Sequence, residues 1–377
     1  MGVYLDHAAT TPMADAALKA MTRSLSKLGN PSSLHTEGRS VRKDVEDARE
    51  VIAKAVDCLA SEIIFTGSGT EADNAAIKGL FWKSGKKVVV ISSIEHSALI
   101  DPAQWLQEHE GAEVVYIPVN SDGVIDLDFL RNLVKERADE IALISVMHAN
   151  NETGVIQPIA EVVKIAGDIA VHTDASQSFT KVPLSYKDLG VTAMTLSAHK
   201  IGGPLGIGAL ILRRGFEIPA LLHGGGQERD IRSGTLNTPS IVAFAAAVSA
   251  EHYDRKGIET LRREFEAGLS ASVPDAYING VNADRLPGIV NVTFPGTQSD
   301  SLLLLMDSEK VSCSTGSACN AGVHRPSHVL LAMGHSDTTA QSSLRFSLGA
   351  TSTKADVEFA LSVLPTVISR GRAANKK

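Results

Sequence analysis

Cysteine is scarce in this chain, with three residues, Cys58, Cys313 and Cys319, among 377. A small odd number builds no disulfide framework, so a reducing, cytoplasmic compartment is expected, and each thiol must be core filler, metal ligand or reactive group. Aromatic residues make up only 5% and no uninterrupted apolar run is long enough to span a bilayer. The opening Met1-Gly2-Val3-Tyr4-Leu5-Asp6-His7 has neither the basic flank nor the apolar stretch of a secretory signal. A strong charge excess is also missing. The 43 acidic and 36 basic residues give a net charge of −7 and are dispersed, which offers no electrostatic reason for direct nucleic-acid binding. Membrane and nucleic acid are therefore not expected partners.

What is present is a large stock of apolar residues, 44% of the chain, enough to bury a sizeable core and to make two domains. The spacing predicts helices over 13–28 and 36–56, separated by the breaker Gly29-Asn30-Pro31-Ser32-Ser33, then a strand over 62–66. Further apolar runs recur over 88–92, 114–117, 141–147, 169–173, 193–197 and 207–212, mostly with helical patterns between them. Near-continuous apolarity in strands that alternate with helices predicts a mostly parallel sheet covered on both faces. The last two runs are joined by a loop too short for a helical crossover, so an antiparallel edge and a mixed, seven-stranded sheet are expected. Residues 238–270 read as one long or broken helix bridging to a second, smaller α+β part, with strands over 288–294 and 343–346 and helices over 300–306, 326–333 and 354–363. The expected division is a large domain over 13–250 and a small one made of 1–12 and 251–377. Residues 369–377 are polar or small, and fraying is expected there.

The run Ser197-Ala198-His199-Lys200-Ile201-Gly202-Gly203-Pro204 ends a strand pattern with a lysine at a glycine-rich turn. An amine buried at such a place can form an imine with an aldehyde cofactor; the plain alternative is a solvated loop lysine. Upstream, Ala170-Val171-His172-Thr173-Asp174-Ala175-Ser176-Gln177 ends on a carboxylate. An aspartate at the ring nitrogen and a lysine at the aldehyde are the two anchors of pyridoxal 5′-phosphate (PLP) chemistry. Asp174 also suits a helix cap. Gln177 follows at a spacing that would let it donate to the cofactor's phenolic oxygen, and His96 follows another strand, placed to stack on the ring and move protons or to be an ordinary loop histidine. Gly67-Ser68-Gly69-Thr70 lies between a strand and a helix, where amides point at an anion, so Gly69, Thr70, Ser197 and His199 are candidate phosphate contacts. The loop lacks the lysine and spacing of a nucleotide-binding P-loop. Cys319 sits in the small-residue run Ser312-Cys313-Ser314-Thr315-Gly316-Ser317-Ala318-Cys319, which suits a thiol that swings between substrate and acceptor. No Cys/His set has zinc-finger spacing, so no metal site is assigned. Arg345, inside a predicted strand, would grip a carboxylate or make a structural ion pair.

Taken together these motifs resemble the cysteine desulfurases of the NifS/IscS type, members of the class-V aminotransferases and of the fold-type I PLP enzymes. The resemblance includes Tyr4-Leu5-Asp6-His7-Ala8-Ala9-Thr10-Thr11-Pro12, the segment with Asn30, and His148-Ala149-Asn150-Asn151-Glu152-Thr153-Gly154. It implies L-cysteine as substrate, Lys200, Cys319 and His96 as catalytic residues, and Arg345, Asn151 and Asn30 at the substrate. Gly69, Thr70, His96, Asn151, Asp174, Gln177, Ser197, His199 and Lys200 would hold PLP. It implies a homodimer in which Thr235 completes the neighbouring site. The product would be alanine and a Cys319 persulfide, passed to sulfur-acceptor or iron–sulfur scaffold proteins in iron–sulfur cluster assembly or tRNA thiolation, with Cys319 a candidate transient iron–sulfur ligand. Sister readings are a selenocysteine lyase, a PLP-dependent cysteine β-lyase or an aminotransferase; a reading from another class is a non-catalytic scaffold in a sulfur-transfer complex.

Overall fold

The computed structural model describes residues 2–250, 253–315 and 326–375. After the two-residue strand β1 (Val3–Tyr4), the strands β2 (Ile63–Thr66), β3 (Val88–Ser92), β4 (Glu113–Ile117), β5 (Ile141–Ser145), β6 (Ala170–Asp174), β7 (Ala193–Ser197) and β8 (Gly208–Leu212) form the central sheet. Its order is β2-β8-β7-β6-β5-β3-β4, a mixed seven-stranded sheet. Strands β3 to β7 pair in parallel, and only β8 runs against its neighbours β7 and β2. The antiparallel edge expected from the short loop is therefore present, one strand in from the end.

The strands read as continuous apolar runs because both faces are covered. Alternate residues feed two apolar clusters. Ile63, Phe65, Val88 and Val90 pack with Val45 and Ile52 of the helix Thr36–Val56, while Ile64, Val89 and Ile91 pack with Ile77 and Leu80 of Gly69–Ser84 and with Leu99 of Ser97–Glu110. Gly208 has a specific task at the sheet edge. A Cβ there would lie 2.6 Å from the Ser68 carbonyl carbon and 2.8 Å from the Gly69 nitrogen, so only glycine lets the loop after β2 cross β8 this closely.

A buried ion pair fixes β2, and with it that loop. The Arg49 guanidinium is bidentate to Glu228 at 2.7 and 2.8 Å, donates to the Ile63 carbonyl at 2.7 Å, and lies 4.6 Å from the Phe65 ring centroid. Glu228 also accepts from the Phe65 amide at 2.7 Å. Glu228→Ala strands both a buried cation and a buried N–H, and is expected to cost about 3–5 kcal/mol in a urea unfolding curve. Glu228→Gln, which keeps an acceptor for Phe65, should cost less.

The remaining strands are β9 (Tyr277–Ile278), β10 (Ile289–Thr293), β11 (Val311–Ser312) and β12 (Ser343–Ser347). They make a three-stranded antiparallel sheet, β12-β10-β9, and a parallel pair, β1-β11. A separate apolar cluster including Phe265, Phe294, Phe346 and Leu364 lies beneath them. The N-terminal segment reaches across. Leu5 is bonded to Ser312 and Ser347, and the Ala8 amide donates to Ser347 Oγ at 2.8 Å, so residues 5–9 pass between this sheet and the ends of the central strands.

Of the two readings of 238–270, the broken one holds: the helices are Thr238–Ser249 and Arg255–Ser272, the second opened by Asp254, whose side chain accepts from the Gly257 amide. One expectation is corrected. The C-terminal residues do not fray at 369, because the helix Lys354–Asn375 buries Val367, Ile368 and Gly371 and Arg372 pairs with Asp275 at 2.6 Å. Among the described residues no helix is long and apolar enough to cross a membrane.

Candidate active site

In the central sheet the connections leave the adjacent strands β3 and β5 in opposite directions, β3 leading to β4 on one side and β5 to β6 on the other, and pockets form outside the carboxyl ends of strands at such switch points. Here those ends carry chemistry. His96 follows β3, Met147 and Asn151 follow β5, Asp174 ends β6, and Ser197 ends β7 with His199 and Lys200 just beyond it. All of them line one cavity of about 330 Å³, together with Ser68, Gly69, Thr70, Gln177 and Arg345. That volume suits a small-molecule ligand.

The short 3₁₀ turn Ala198–Ile201, closed by Gly202 at φ +80°, points Lys200 back across the strand ends. Its Nζ donates to the carbonyls of Ala8 and Ala9 at 2.7 and 2.8 Å, and the side chain is half-buried. The same segment takes the Gln177 amide, whose Nε2 donates to the Ala8 carbonyl at 2.9 Å. Asp174 is oriented by the Ser176 amide, which donates to Oδ1 at 2.8 Å, so it fills a local capping role and faces the cavity as well. Behind it, His172 bonds Ser145 and Thr195 through its two ring nitrogens at 2.9 and 3.0 Å, and burial lowers its pKa to about 3.

His96 caps the helix Ser97–Glu110, its Nδ1 accepting from the Ala98 amide at 3.1 Å. That bond leaves the proton of a neutral ring on Nε2. His199 is held down to about 4 by burial, with Lys200 and Lys181 adding to the shift, so it is a neutral donor near pH 7. Arg345 is buried in β12; Nη2 donates to Asp6 Oδ1 at 2.7 Å and Nη1 to the Asn151 carbonyl at 2.9 Å, while Nε has no hydrogen-bond partner among the described residues. The arginine thus has an ion-pair partner and also lines the cavity.

Gly69 opens the helix Gly69–Ser84, whose cap Ser68 accepts from the Glu71 amide at 3.0 Å. A Cβ at Gly69 would sit 3.2 Å from Ser197 Cβ and 3.3 Å from Ser176 Oγ, so glycine keeps this approach open. Helix amides with Thr70, Ser197 and His199 beside them make a site for a phosphate. The donor set fits PLP: a carboxylate for a ring nitrogen, an amine for an aldehyde, and a polar cradle for a phosphate.

Some expected residues stand elsewhere. Asn30 is exposed, and its Oδ1 accepts from the Ser32 amide outside this cavity. Thr235 is exposed and does not line it either. Cys319 lies outside the described residues. The other two thiols do not suit a nucleophile, since burial pushes both Cys58 and Cys313 up to about 12. Among the described residues no three His, Cys, Asp or Glu side chains gather as a metal site.

Sequence reasoning missed three buried groups around the cavity. Asp73 lines it, its Oδ1 3.7 Å from His172 Nε2 and without a hydrogen bond among the described residues, and burial together with the Asp174 charge raises its carboxyl well above the usual range. Glu95, which accepts from Ser92 at 2.6 Å and from the Met147 amide at 2.7 Å, is raised to about 8 by burial. Lys181 lies behind Gln177, donating to Oε1 at 3.4 Å.

The mixed sheet and the site at its strand ends have the architecture of the fold-type I PLP enzymes. The family model of the class-V aminotransferases matches residues 3–359. An IscS-like cysteine desulfurase of Mycobacterium tuberculosis (strain ATCC 25618 / H37Rv) is 46% identical over 383 residues, covering 98% of this chain and 97% of that protein. Among solved structures, a NifS-like protein superposes with a TM-score of 0.90 at 35% identity, over 98% of this chain and all 100% of that one. SspA in complex with cysteine gives 0.83 at 35% identity, over 93% and 100% of the two chains. The chain belongs to the class-V aminotransferases and, within them, to the cysteine desulfurases of the NifS/IscS type.

Proposed function

We propose that this chain is a PLP-dependent cysteine desulfurase that converts L-cysteine to L-alanine and keeps the sulfur as a persulfide on Cys319. The observation that carries this reading is the convergence of Lys200, Asp174, His96 and Arg345 on one cavity of ligand size. When bound, PLP supplies an electron sink for bond breaking at the substrate carbons. Asp174 would hold the ring nitrogen, Gln177 and His96 would contact the ring, and the amides of Gly69 and Thr70 with Ser197 and His199 would hold the phosphate.

Lys200 provides the amine and moves a proton at the substrate α-carbon. Arg345 takes the substrate carboxylate, in exchange for part of its bonding to Asp6 and the Asn151 carbonyl. His96, with its proton on Nε2, exchanges protons with the substrate sulfur. The Cys319 thiolate then attacks that sulfur: a sulfur–sulfur bond forms, the bond from sulfur to the β-carbon breaks with its electron pair going to carbon, and protonation of the carbon yields alanine. Thr235, exposed on this chain, reaches the phosphate in a second copy, so the active unit is a homodimer. The persulfide is handed to sulfur-acceptor proteins in the cytoplasm.

The test is to supply the purified, PLP-loaded protein with L-cysteine and follow alanine, pyruvate and protein-bound sulfur. One alanine per protein-bound sulfur in a first turnover is expected. Pyruvate and free sulfide with no sulfur on the protein would place the chain with the β-lyases instead.

A further inference from the structure

We propose that Lys181 and a water-sized cavity behind Lys200 form a proton path at the rear of the site, in which Lys181 exchanges protons with Lys200 through one internal water. The proposal rests on the desulfurase reading above and assigns a residue that the reading does not use. Lys181 acts through Lys200 and is in that sense a positioning residue, with no contact to substrate.

The cavity has a volume of about 20 Å³ and is lined by both lysines and by His7, Thr11 and Tyr253. That is room for one water, with enough polar neighbours to hold it. The two amines are also tied through the Ala8 carbonyl, which accepts from Lys200 at 2.7 Å and from Gln177 at 2.9 Å, while Gln177 Oε1 accepts from Lys181 at 3.4 Å. On the far wall Thr11 and His7 are hydrogen-bonded at 2.7 Å, and His7 continues to Ser352 at 3.3 Å. Ser352 is partly exposed, so the row leads from the cavity to solvent. Gly349 is needed for it, since a Cβ there would collide with the His7 ring.

The molecule sets Lys181 in this place at a cost. Thr180, the residue before it, is β-branched and holds φ at +63°, a conformation such residues rarely adopt. A lysine this buried needs a carboxylate to stay charged, and the charged groups that act on it are two further cations, Lys200 and Arg345. Burial first, then those two charges, bring its pKa from 10.5 to about 7. His7 and His199, which also face it, are held down to about 4 and stay neutral, and Arg345, ion-paired with Asp6, stays charged. Near neutrality Lys181 is therefore the group of this cluster that gains and loses a proton readily. When Lys200 is protonated in turnover, the proton passes to the water and a water proton passes to the Lys181 amine; the reverse transfer restores the starting state.

Lys181→Met keeps the length and removes the exchangeable proton. It should lower kcat about tenfold or more with KM within twofold, and abolish the limb of the kcat–pH profile near pH 7. Lys181→Arg keeps the charge and the bond to Gln177 but cannot give up its proton, so it should fail to restore either. In the unloaded protein, lysine labelled with carbon-13 at Cε should show one resonance titrating near pH 7 that is absent from Lys181→Met. Should Lys181→Met not fold, that wild-type titration decides alone. An unchanged kcat–pH profile, full recovery by Lys181→Arg, or titration of every lysine above pH 9 overturns the path. Failure of the desulfurase reading is distinct, since the wild-type protein would then form no alanine from cysteine.

Discussion

Cys319→Ala leaves a protein that takes up PLP and binds cysteine but retains no sulfur, with persulfide formation down on the order of 10³-fold or more, as on removal of an enzyme nucleophile. The expectation follows from the state of the other thiols as much as from Cys319. Cys313 lies only six positions away and would be the natural substitute, yet it is buried beneath β12 and its thiol is pushed up to about 12. Cys58 is held the same way at the far side of the central sheet. Neither supplies a thiolate at neutral pH. The measurement is non-reducing electrophoresis after radiolabelled cysteine. Label that stays on the Cys319→Ala protein and is released by thiols would move the role to another cysteine.

Lys200→Ala removes the amine that Ala8 and Ala9 hold in the cavity, and it has the second large effect. Alanine formation should fall about 10²–10⁴-fold, the span expected for loss of a positioned proton carrier, with loss of covalent anchoring in addition. The diagnostic readout is chemical rather than kinetic. Borohydride should fix PLP permanently to the wild-type chain and leave the variant unlabelled. The cavity itself should survive, because Asp174, Ser197 and the amides after Ser68 are held by bonds that do not involve Lys200. A variant still labelled by borohydride would assign the anchor to a different lysine, and Lys181 is the one to examine.

The strands of the central sheet were legible because all but the edge strand β4 are short apolar runs largely buried on both faces, and a run of that kind has few other structural meanings. The front of the site was legible for a related reason: Asp174, Ser197 and Lys200 come directly after such runs, where the topology gathers side chains. The groups behind it were not. Asp73 lies among Glu71 and Asn74 in a pattern that reads as a solvated helix face, and only the packing of that helix on the sheet buries it. Lys181 follows Ser178-Phe179-Thr180 and looks like a turn lysine; what makes it unusual is its burial beside two further cations, Lys200 and Arg345. Asp6 meets Arg345 across 339 positions, beyond any local pattern. The stretch 238–270 was legible as long or broken but not where it breaks, since the second helix, Arg255–Ser272, opens on a single side chain, the Asp254 cap.

The threading of residues 5–9 between the two sheets sets the order in which the molecule can become active. Val3 pairs with Val311, the Ala8 amide is held by Ser347, and Asp6 meets Arg345, so part of the bonding that sets the carbonyls gripping Lys200 comes from residues near the opposite end of the chain, beside the bond from Gln177. Contacts of such separation form late, after most local structure. During synthesis the large sheet can be complete before these late contacts form. A chain ended before β12 would carry the strand ends of the pocket without the bonds from Ser347 and Arg345 that complete the clasp.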